Sequence, residues 1–195
     1  MRRPAEAGRL IYVMGASGSG KDSLINYVRE RLAERRDDCI VIAQRYITRP
    51  PETKGERHLA LSPACFAARQ LAGDFAMSWS ANGLEYGIGR EIDDSLRSGR
   101  HVIVNGSRAH FPEAVGRYPT ALPILIVVDP ILLQARLLAR GRESADEIAA
   151  RIARAGHLTV QHPTLQVIQN DGPISGASEA FLDVIRRLPG INERS

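Results

Sequence analysis

A glycine- and serine-rich loop that ends in a lysine lies close to the start of the chain. Its spacing is Gly15-x-x-x-x-Gly20-Lys21; the apolar run Leu10–Met14 precedes it, and a helical apolar repeat begins after it at Leu24. Strand, loop and helix in this order are typical of a phosphate-binding loop. Glycines let backbone N–H groups turn towards an anion, the helix dipole adds partial positive charge, and the lysine reaches the terminal phosphates. The stretch predicts a nucleoside triphosphate site in which Lys21 is a catalytic cation.

The residue after the lysine departs from the usual pattern of such loops. That position usually holds Ser or Thr, whose hydroxyl binds Mg²⁺, whereas here it holds Asp22, with Ser23 one place later. A carboxylate is a hard oxygen ligand, so Asp22 is a candidate Mg²⁺ ligand. An acidic residue in the first turn also stabilises a helix, so Asp22 is equally a candidate cap. The predicted ATP-binding residues of this stretch are Gly15, Ala16, Ser17, Gly18, Ser19, Gly20, Lys21, Asp22 and Ser23.

The composition indicates a soluble globular enzyme of anionic small molecules. The 195 residues carry a formal charge of +4, spread along the chain without the basic block of a nucleic-acid binder. No apolar run approaches the ~20 residues of a membrane span. Cys39 and Cys65 are too few for a disulfide scaffold and favour a cytoplasmic location. We expect one domain, and no exposed apolar stripe argues for a particular oligomer.

Apolar runs and helical segments alternate along the chain. The runs read as buried strands, and they are Leu10–Met14, Cys39–Ala43, His101–Asn105, Leu122–Val128 and Leu165–Gln169. Such alternation predicts an α/β fold with a five-stranded parallel sheet and helices on both of its faces. Residues 9–43 and 100–190 make up this predicted core.

Residues 44–90 read as an insertion into that core. The stretch Gln44–Gly55 is polar and proline-rich, and it carries Arg45 and Arg49. After it, Ser62 precedes a proline as the cap of a short helix, and the turn Asn82-Gly83 separates two extended pieces. A kinase whose acceptor is phosphorylated needs cations that hold the acceptor phosphate. The insertion therefore predicts an acceptor-binding unit with Arg45 and Arg49 aimed at an anion.

A second group of arginines lies in residues 139–155. Arg140, Arg142 and Arg151 follow a predicted apolar helix, and Gly141 between the first two gives the segment freedom to bend. Charge spreads over three oxygens as a phosphoryl group transfers, so cations that close over it lower the barrier. We predict an arginine lid in which these three residues are catalytic.

Several segments together carry a resemblance to the guanylate-kinase family of P-loop kinases. From Leu10 to Leu188 the chain resembles that family, and within it more closely the ribose 1,5-bisphosphate phosphokinases of phosphonate catabolism. The segments of closer likeness are GSGKDSL at Gly18–Leu24, RYITR at Arg45–Arg49, SWSANGLEYGIG at Ser78–Gly89, VNGSRAH at Val104–His110 and GRESADEI at Gly141–Ile148. The Asp after the loop lysine is part of the closer family's pattern.

The resemblance implies a reaction and its site residues. The implied reaction is ATP plus ribose 1,5-bisphosphate giving ADP plus 5-phosphoribosyl 1-diphosphate, with Mg²⁺ as cofactor and a sugar bisphosphate as the acceptor. It also implies that Asn170 lies near the adenine. The implied acceptor-binding residues are Arg45, Arg49, His58, Tyr86, Asn105 and Ser107.

Departures from true guanylate kinases support the sugar acceptor. By alignment, Met77 replaces a glutamate that reads guanine, and Met cannot accept guanine N–H groups. Asn105 replaces an acidic residue, His58 a tyrosine and Arg45 a serine. Two alternatives stay open: a kinase of GMP or another nucleoside monophosphate, and a non-catalytic guanylate-kinase-like interaction module. The complete loop from Gly15 to Lys21 argues against the module.

Overall fold

Two β-sheets form the framework of the molecule. The computed structural model describes residues 7–35, 38–50, 57–141, 146, 148–150, 152–153 and 159–191. The strands in chain order are β1 Leu10–Gly15, β2 Ile40–Ile42, β3 Arg45–Ile47, β4 His58–Ala60, β5 Phe75–Ala81, β6 Leu84–Gly89, β7 His101–Asn105, β8 Leu122–Val127 and β9 Gln166–Gln169. The helices are α1 Lys21–Arg35, α2 Pro63–Leu71, α3 Glu91–Arg97, α4 Phe111–Arg117, α5 Pro130–Arg140 and α6 Ile174–Arg186.

The larger sheet has the strand order β2-β7-β1-β8-β9, and every neighbouring pair is parallel. This confirms the predicted five-stranded parallel sheet. The central strand β1 alternates its side chains between two apolar layers: Ile11 and Val13 pack with α1 and α6, and Tyr12 packs on the opposite face with α3, α4 and the second sheet. Burial on both faces explains why β1 is an unbroken apolar run.

The second sheet lies within residues 45–89 and has the order β4-β3-β6-β5. Strand β3 pairs antiparallel with β6 and parallel with β4. The sequence analysis treated the stretch that contains β3 as a polar, proline-rich segment, and it missed both β3 and β4. Each has only three residues, so strand pairing rather than local pattern defines them: β3 pairs with β6, and β4 pairs with β3.

The two faces of the second sheet have different partners. Met77 and Ile88 lie opposite each other in register on the inner face, where they pack against the parallel sheet. On the outer face the ring of Phe75 stacks on Phe66 of α2, with 4.7 Å between ring centroids. The start of α2 confirms the predicted cap, because the Ser62 hydroxyl accepts a hydrogen bond from the backbone N–H of Cys65, at 3.1 Å.

No helix in the described part of the chain is both long enough and apolar enough to cross a membrane.

A buried tyrosine fixes the loop that follows β7. The Tyr12 hydroxyl donates to the carbonyl oxygen of Ser107 and accepts from the N–H of Ser107, both at 3.0 Å. Burial raises the pKa of Tyr12 well above its usual value, so the hydroxyl stays protonated. A Cβ added at Gly106 would lie 2.1 Å from the Tyr12 ring, so only glycine permits this close approach. The position of residues 105–107 therefore depends on Tyr12.

We expect Tyr12→Phe to lower the free energy of unfolding by about 1–3 kcal/mol, because two buried backbone groups of Ser107 lose their partner. Urea titration measures the change. Tyr27→Phe is the matched control, since the hydroxyl bonds of Tyr27 lie at the surface, and its effect should stay within about 0.5 kcal/mol. Equal losses in the two variants would contradict a special role for Tyr12.

Candidate active site

The phosphate-binding loop connects β1 to α1 at the carboxyl edge of the parallel sheet. Its backbone curls back on itself, since the N–H of Ser19 donates to the carbonyl oxygen of Ala16 at 3.1 Å. The Lys21 ammonium folds over the loop and donates to the carbonyl oxygens of Gly15 and Ala16, each at 2.8 Å. The lysine is therefore held directly above the loop backbone, and phosphate oxygens can replace these carbonyls as its partners.

Asn170, at the end of β9, supports the backbone of this loop through a hydrogen bond. Its side chain is buried, and its amide donates to the carbonyl oxygen of Ser19 at 2.8 Å. A Cβ added at Gly20, where φ is +88°, would lie 2.4 Å from the same amide nitrogen. The structure thus shows a supporting contact of Asn170 with the loop backbone, and its place near the adenine stays a prediction.

Asp22 lies at the junction of three elements. The Asn105 amide at the end of β7 donates to Asp22 Oδ1 at 2.7 Å, and Arg45 Nη2 of β3 lies 3.4 Å from the same oxygen. Arg45 Nη1 also donates to the backbone carbonyl of Asn105, at 3.4 Å. Three residues predicted separately, one for the nucleotide and two for the acceptor, are therefore in direct contact.

Two buried oxygens face no protein donor at this edge of the sheet. The Asn105 Oδ1 and the Ser19 hydroxyl are buried, and neither has a hydrogen-bond partner among the residues that the structure describes. A buried oxygen without a partner is costly unless a cation or another donor contacts it. The Asn105 side chain is held in this orientation, because its amide nitrogen donates to Asp22 Oδ1.

Aromatic rings form a column on the inner face of the second sheet. Trp79 of β5 stacks on its cross-strand partner Tyr86, with centroids 5.5 Å apart and planes inclined by 4°. On its other side Trp79 stacks on His110, with 5.2 Å between centroids and 20° between planes. The Arg45 guanidinium lies 5.9 Å from the centroid of Tyr86. We call Tyr86, Trp79 and His110 the aromatic column.

His58 and Arg49 meet at the opposite edge of the same sheet. His58 is buried in β4, next to Arg45 in register, and its Nε2 lies 3.2 Å from the backbone carbonyl oxygen of Arg49. This contact ties the backbone of Arg49 to β4. The predicted acceptor residues Arg45, His58 and Tyr86 thus share the small sheet, and His58 contacts Arg49 within it.

Curated relatives give the family. The ribose 1,5-bisphosphate phosphokinase PhnN of Thiobacillus denitrificans is 49% identical over 178 residues, which cover 91% of this chain and 93% of that protein. The protein of the same name in Pseudomonas fluorescens is 50% identical over 181 residues, which cover 90% of this chain and 94% of that protein. The chain belongs to the ribose 1,5-bisphosphate phosphokinase family. No family model matches it.

A solved structure supports the fold of this chain. The guanylate kinase of Anaplasma phagocytophilum aligns with a TM-score of 0.68 over 93% of this chain and 86% of that chain, at 16% sequence identity. At that identity the likeness concerns the fold alone. It agrees with the five-stranded parallel sheet and the phosphate-binding loop described above.

The sequence analysis missed a cation in the loop after β7. Arg108 is half-buried, and burial lowers the pKa of its guanidinium. It follows Ser107, whose hydroxyl accepts from the N–H of Ala109 at 3.3 Å. The signal was present, because Arg108 lies within the Val104–His110 segment that directly follows a buried strand. Residues at such strand ends line the ligand crevice of an open α/β sheet.

The predicted arginine lid falls largely outside the described residues. Arg142 and Arg151 are among the residues that lie outside, and only the backbone of Arg140 is described, as the last residue of α5. Gly141 ends that helix in the left-handed conformation, with φ of +64°. The catalytic roles of these arginines stay predictions.

We expect His110 to make the stability of the protein depend on pH. Burial lowers the pKa of His110 below the usual histidine value, and the Glu113 carboxylate, 3.0 Å from Nδ1, opposes part of the shift. In the unfolded chain the pKa of His110 is about 6.5. At a pH between this value and the lower pKa of the folded state, unfolding therefore takes up a proton. The contribution of His110 to the free energy of unfolding is therefore complete above the pKa of the unfolded state. It is lost as the pH falls through the lower pKa of the folded state.

The variant His110→Phe keeps a ring beside Trp79 and removes the titration. Its unfolding free energy should fall less than that of the wild type between about pH 7.5 and about pH 5. Urea titrations at both pH values measure the difference. A loss as large as in the wild type would contradict this origin of the pH dependence.

Proposed function

We propose that this chain transfers the γ-phosphoryl group of ATP to the 1-phosphate of ribose 1,5-bisphosphate, giving ADP and 5-phosphoribosyl 1-diphosphate. The observation that carries the proposal is the 49–50% identity to proteins named for this activity over at least nine tenths of the chain. The contact of the nucleotide loop with predicted acceptor residues at Asp22 supports it. The structural likeness to a guanylate kinase concerns the fold, and it is less specific evidence for this activity.

The reaction requires positioning and positive charge rather than a general base. An oxygen of the 1-phosphate, already anionic near neutral pH, forms a bond to the γ-phosphorus. The bond from that phosphorus to the bridging oxygen breaks, and its electron pair leaves with ADP. Lys21 neutralises charge on the phosphates while the curled loop holds them in line. Asn170 acts indirectly, because it keeps the carbonyl of Ser19 turned away from the nucleotide.

The acceptor brings two phosphate groups, and the small sheet offers cations for them. Arg45 and Arg49 lie at opposite ends of β3 and its extension, and Arg108 adds a half-buried guanidinium after β7. A guanidinium suits a phosphate because its planar fork can form two parallel hydrogen bonds. We propose that these three arginines bind the acceptor phosphates and that Arg140, Arg142 and Arg151 close over the transferring group.

The residues around Asp22 fit a Mg²⁺ ion that accompanies ATP. In P-loop enzymes the ion is held by a loop hydroxyl and by a strand-end carboxylate. Here the carboxylate lies on the loop, as Asp22, and the strand end carries Asn105, whose buried Oδ1 has no hydrogen-bond partner within the described residues. We propose that the two roles are exchanged, with both oxygens facing the ion. When bound, the ion neutralises charge on the β- and γ-phosphates.

The exchange predicts that Asp22→Asn weakens divalent-metal binding. The variant keeps the shape of the side chain and removes its charge, so the affinity of Mn²⁺ for the complex with a non-hydrolysable ATP analogue should fall about tenfold or more. Electron paramagnetic resonance of Mn²⁺ measures this without turnover. Asp22→Ser restores the usual hydroxyl and serves as the comparison. Unchanged Mn²⁺ affinity in Asp22→Asn would leave Asp22 only as an anchor of Asn105 and Arg45.

Coupled ADP release with Mg-ATP tests the function itself, with ribose 1,5-bisphosphate and GMP offered in parallel. We expect turnover with the sugar and at least about a hundredfold less with GMP, because base recognition loses several hydrogen bonds. Lys21→Ala should abolish turnover and leave the melting temperature near that of the wild type. Efficient phosphorylation of GMP would contradict the proposal. A folded wild type that binds ATP and turns over neither acceptor would favour an interaction module.

A further inference from the structure

The tryptophan of the aromatic column has both of its faces covered. Tyr86 lies parallel to one face of Trp79, with a plane angle of 4°, and His110 covers the other at 20°. The column spans from the second sheet to the turn before α4, so it fills the space between the two sheets at this point. A planar base from a ligand would need one of these ring faces, and Trp79 already occupies the place beside Tyr86.

Two buried neighbours of Trp79 on the second sheet, Met77 and Ile88, offer no polar group to the edge of a base. Met77, two residues before Trp79 on the same face of β5, is only 5% exposed, and Ile88 opposite Met77 is fully buried. Both are apolar and pack with Tyr12 and Val104 of the parallel sheet. The N–H and C=O groups of a purine placed against Met77 and Ile88 would find no hydrogen-bond partner there, which opposes its binding.

The other end of the column has the opposite character. Arg45 lies 5.9 Å from the Tyr86 ring centroid and also contacts Asp22 and Asn105 beside the nucleotide loop. The inner face of the small sheet thus places the Arg45 cation beside apolar residues, since Ile88 lies opposite Arg45 in register and Met77 lies opposite Ile88. A ligand with phosphates on a small sugar fits this arrangement, and a ligand that adds a base does not.

We propose that Trp79 is a specificity-determining residue that excludes nucleobases from the acceptor site. This inference rests on the proposed function, since it explains why the acceptor is a base-free sugar bisphosphate. Trp79 acts by occupying volume, and it contributes no group to the transfer. Neither local spacing nor composition indicates this role, because it depends on His110 approaching from another element.

The experiment compares Trp79→Ala and Trp79→Val with the control Trp79→Phe, which keeps a ring between Tyr86 and His110. Valine retains β-propensity, so it provides a second small variant if alanine destabilises the strand. Calorimetric titration with GMP, in the presence of Mg²⁺ and a non-hydrolysable ATP analogue, measures base acceptance directly. Melting temperature reports folding. Trp79 is the chain's one tryptophan, so wild-type fluorescence gives an independent titration with ribose 1,5-bisphosphate and with GMP.

We expect GMP affinity to rise about tenfold or more in the small variants and to stay at the wild-type level in Trp79→Phe. Wild-type fluorescence should change with ribose 1,5-bisphosphate and not with GMP. Unchanged GMP affinity in a folded Ala or Val variant would overturn the proposal, as would tight GMP binding by the wild type. Failure of the wild type to bind ribose 1,5-bisphosphate would instead count against the proposed function, because the gain in GMP affinity is measured separately.

Discussion

The shared carboxylate of Asp22 is the interaction on which the arrangement of the site depends. A negative charge beside a triphosphate is unfavourable unless cations or donors compensate it, and Asp22 has both in Arg45 and the Asn105 amide. Because these partners come from the second sheet and from β7, one carboxylate links the phosphate-binding loop to the proposed acceptor residues Arg45 and Asn105. In-line transfer needs the distance between donor and acceptor to be held within a fraction of an ångström.

The second sheet combines two physical tasks on one small surface. Its inner face carries Arg45 and, directly opposite it in register, the buried Ile88. Burial of Met77 and Ile88 against the parallel sheet supplies the stability that a three-residue strand such as β3 lacks by itself. Arg45 of β3 can therefore be held in place although β3 itself has little apolar surface to bury.

Local patterns in the sequence predicted the parallel sheet and the phosphate-binding loop. They did not predict the contacts between residues that are distant in the chain. The run before Gly15 is apolar throughout because β1 is buried on both faces, so its identity as a strand was readable. Asn105 and Arg45 were both predicted as site residues, but nothing in their spacing indicated that each contacts Asp22. Strand β3 was missed because its pairing with β4 and β6, and not its local sequence pattern, defines it. The stacking of His110 on Trp79 joins residues 31 positions apart, which helix and strand periodicities do not report.

The brace from Asn170 to the phosphate loop has a consequence for the order in which the molecule matures. The amide of Asn170 and the carbonyl of Ser19 are 151 residues apart in the chain. During synthesis the loop therefore leaves the ribosome long before its support exists, since β9 must first be made and added to the edge of the sheet. Closing so distant a contact is entropically slow. Nucleotide binding should thus be a late property of the nascent chain, and one that reports that the final strand is in place.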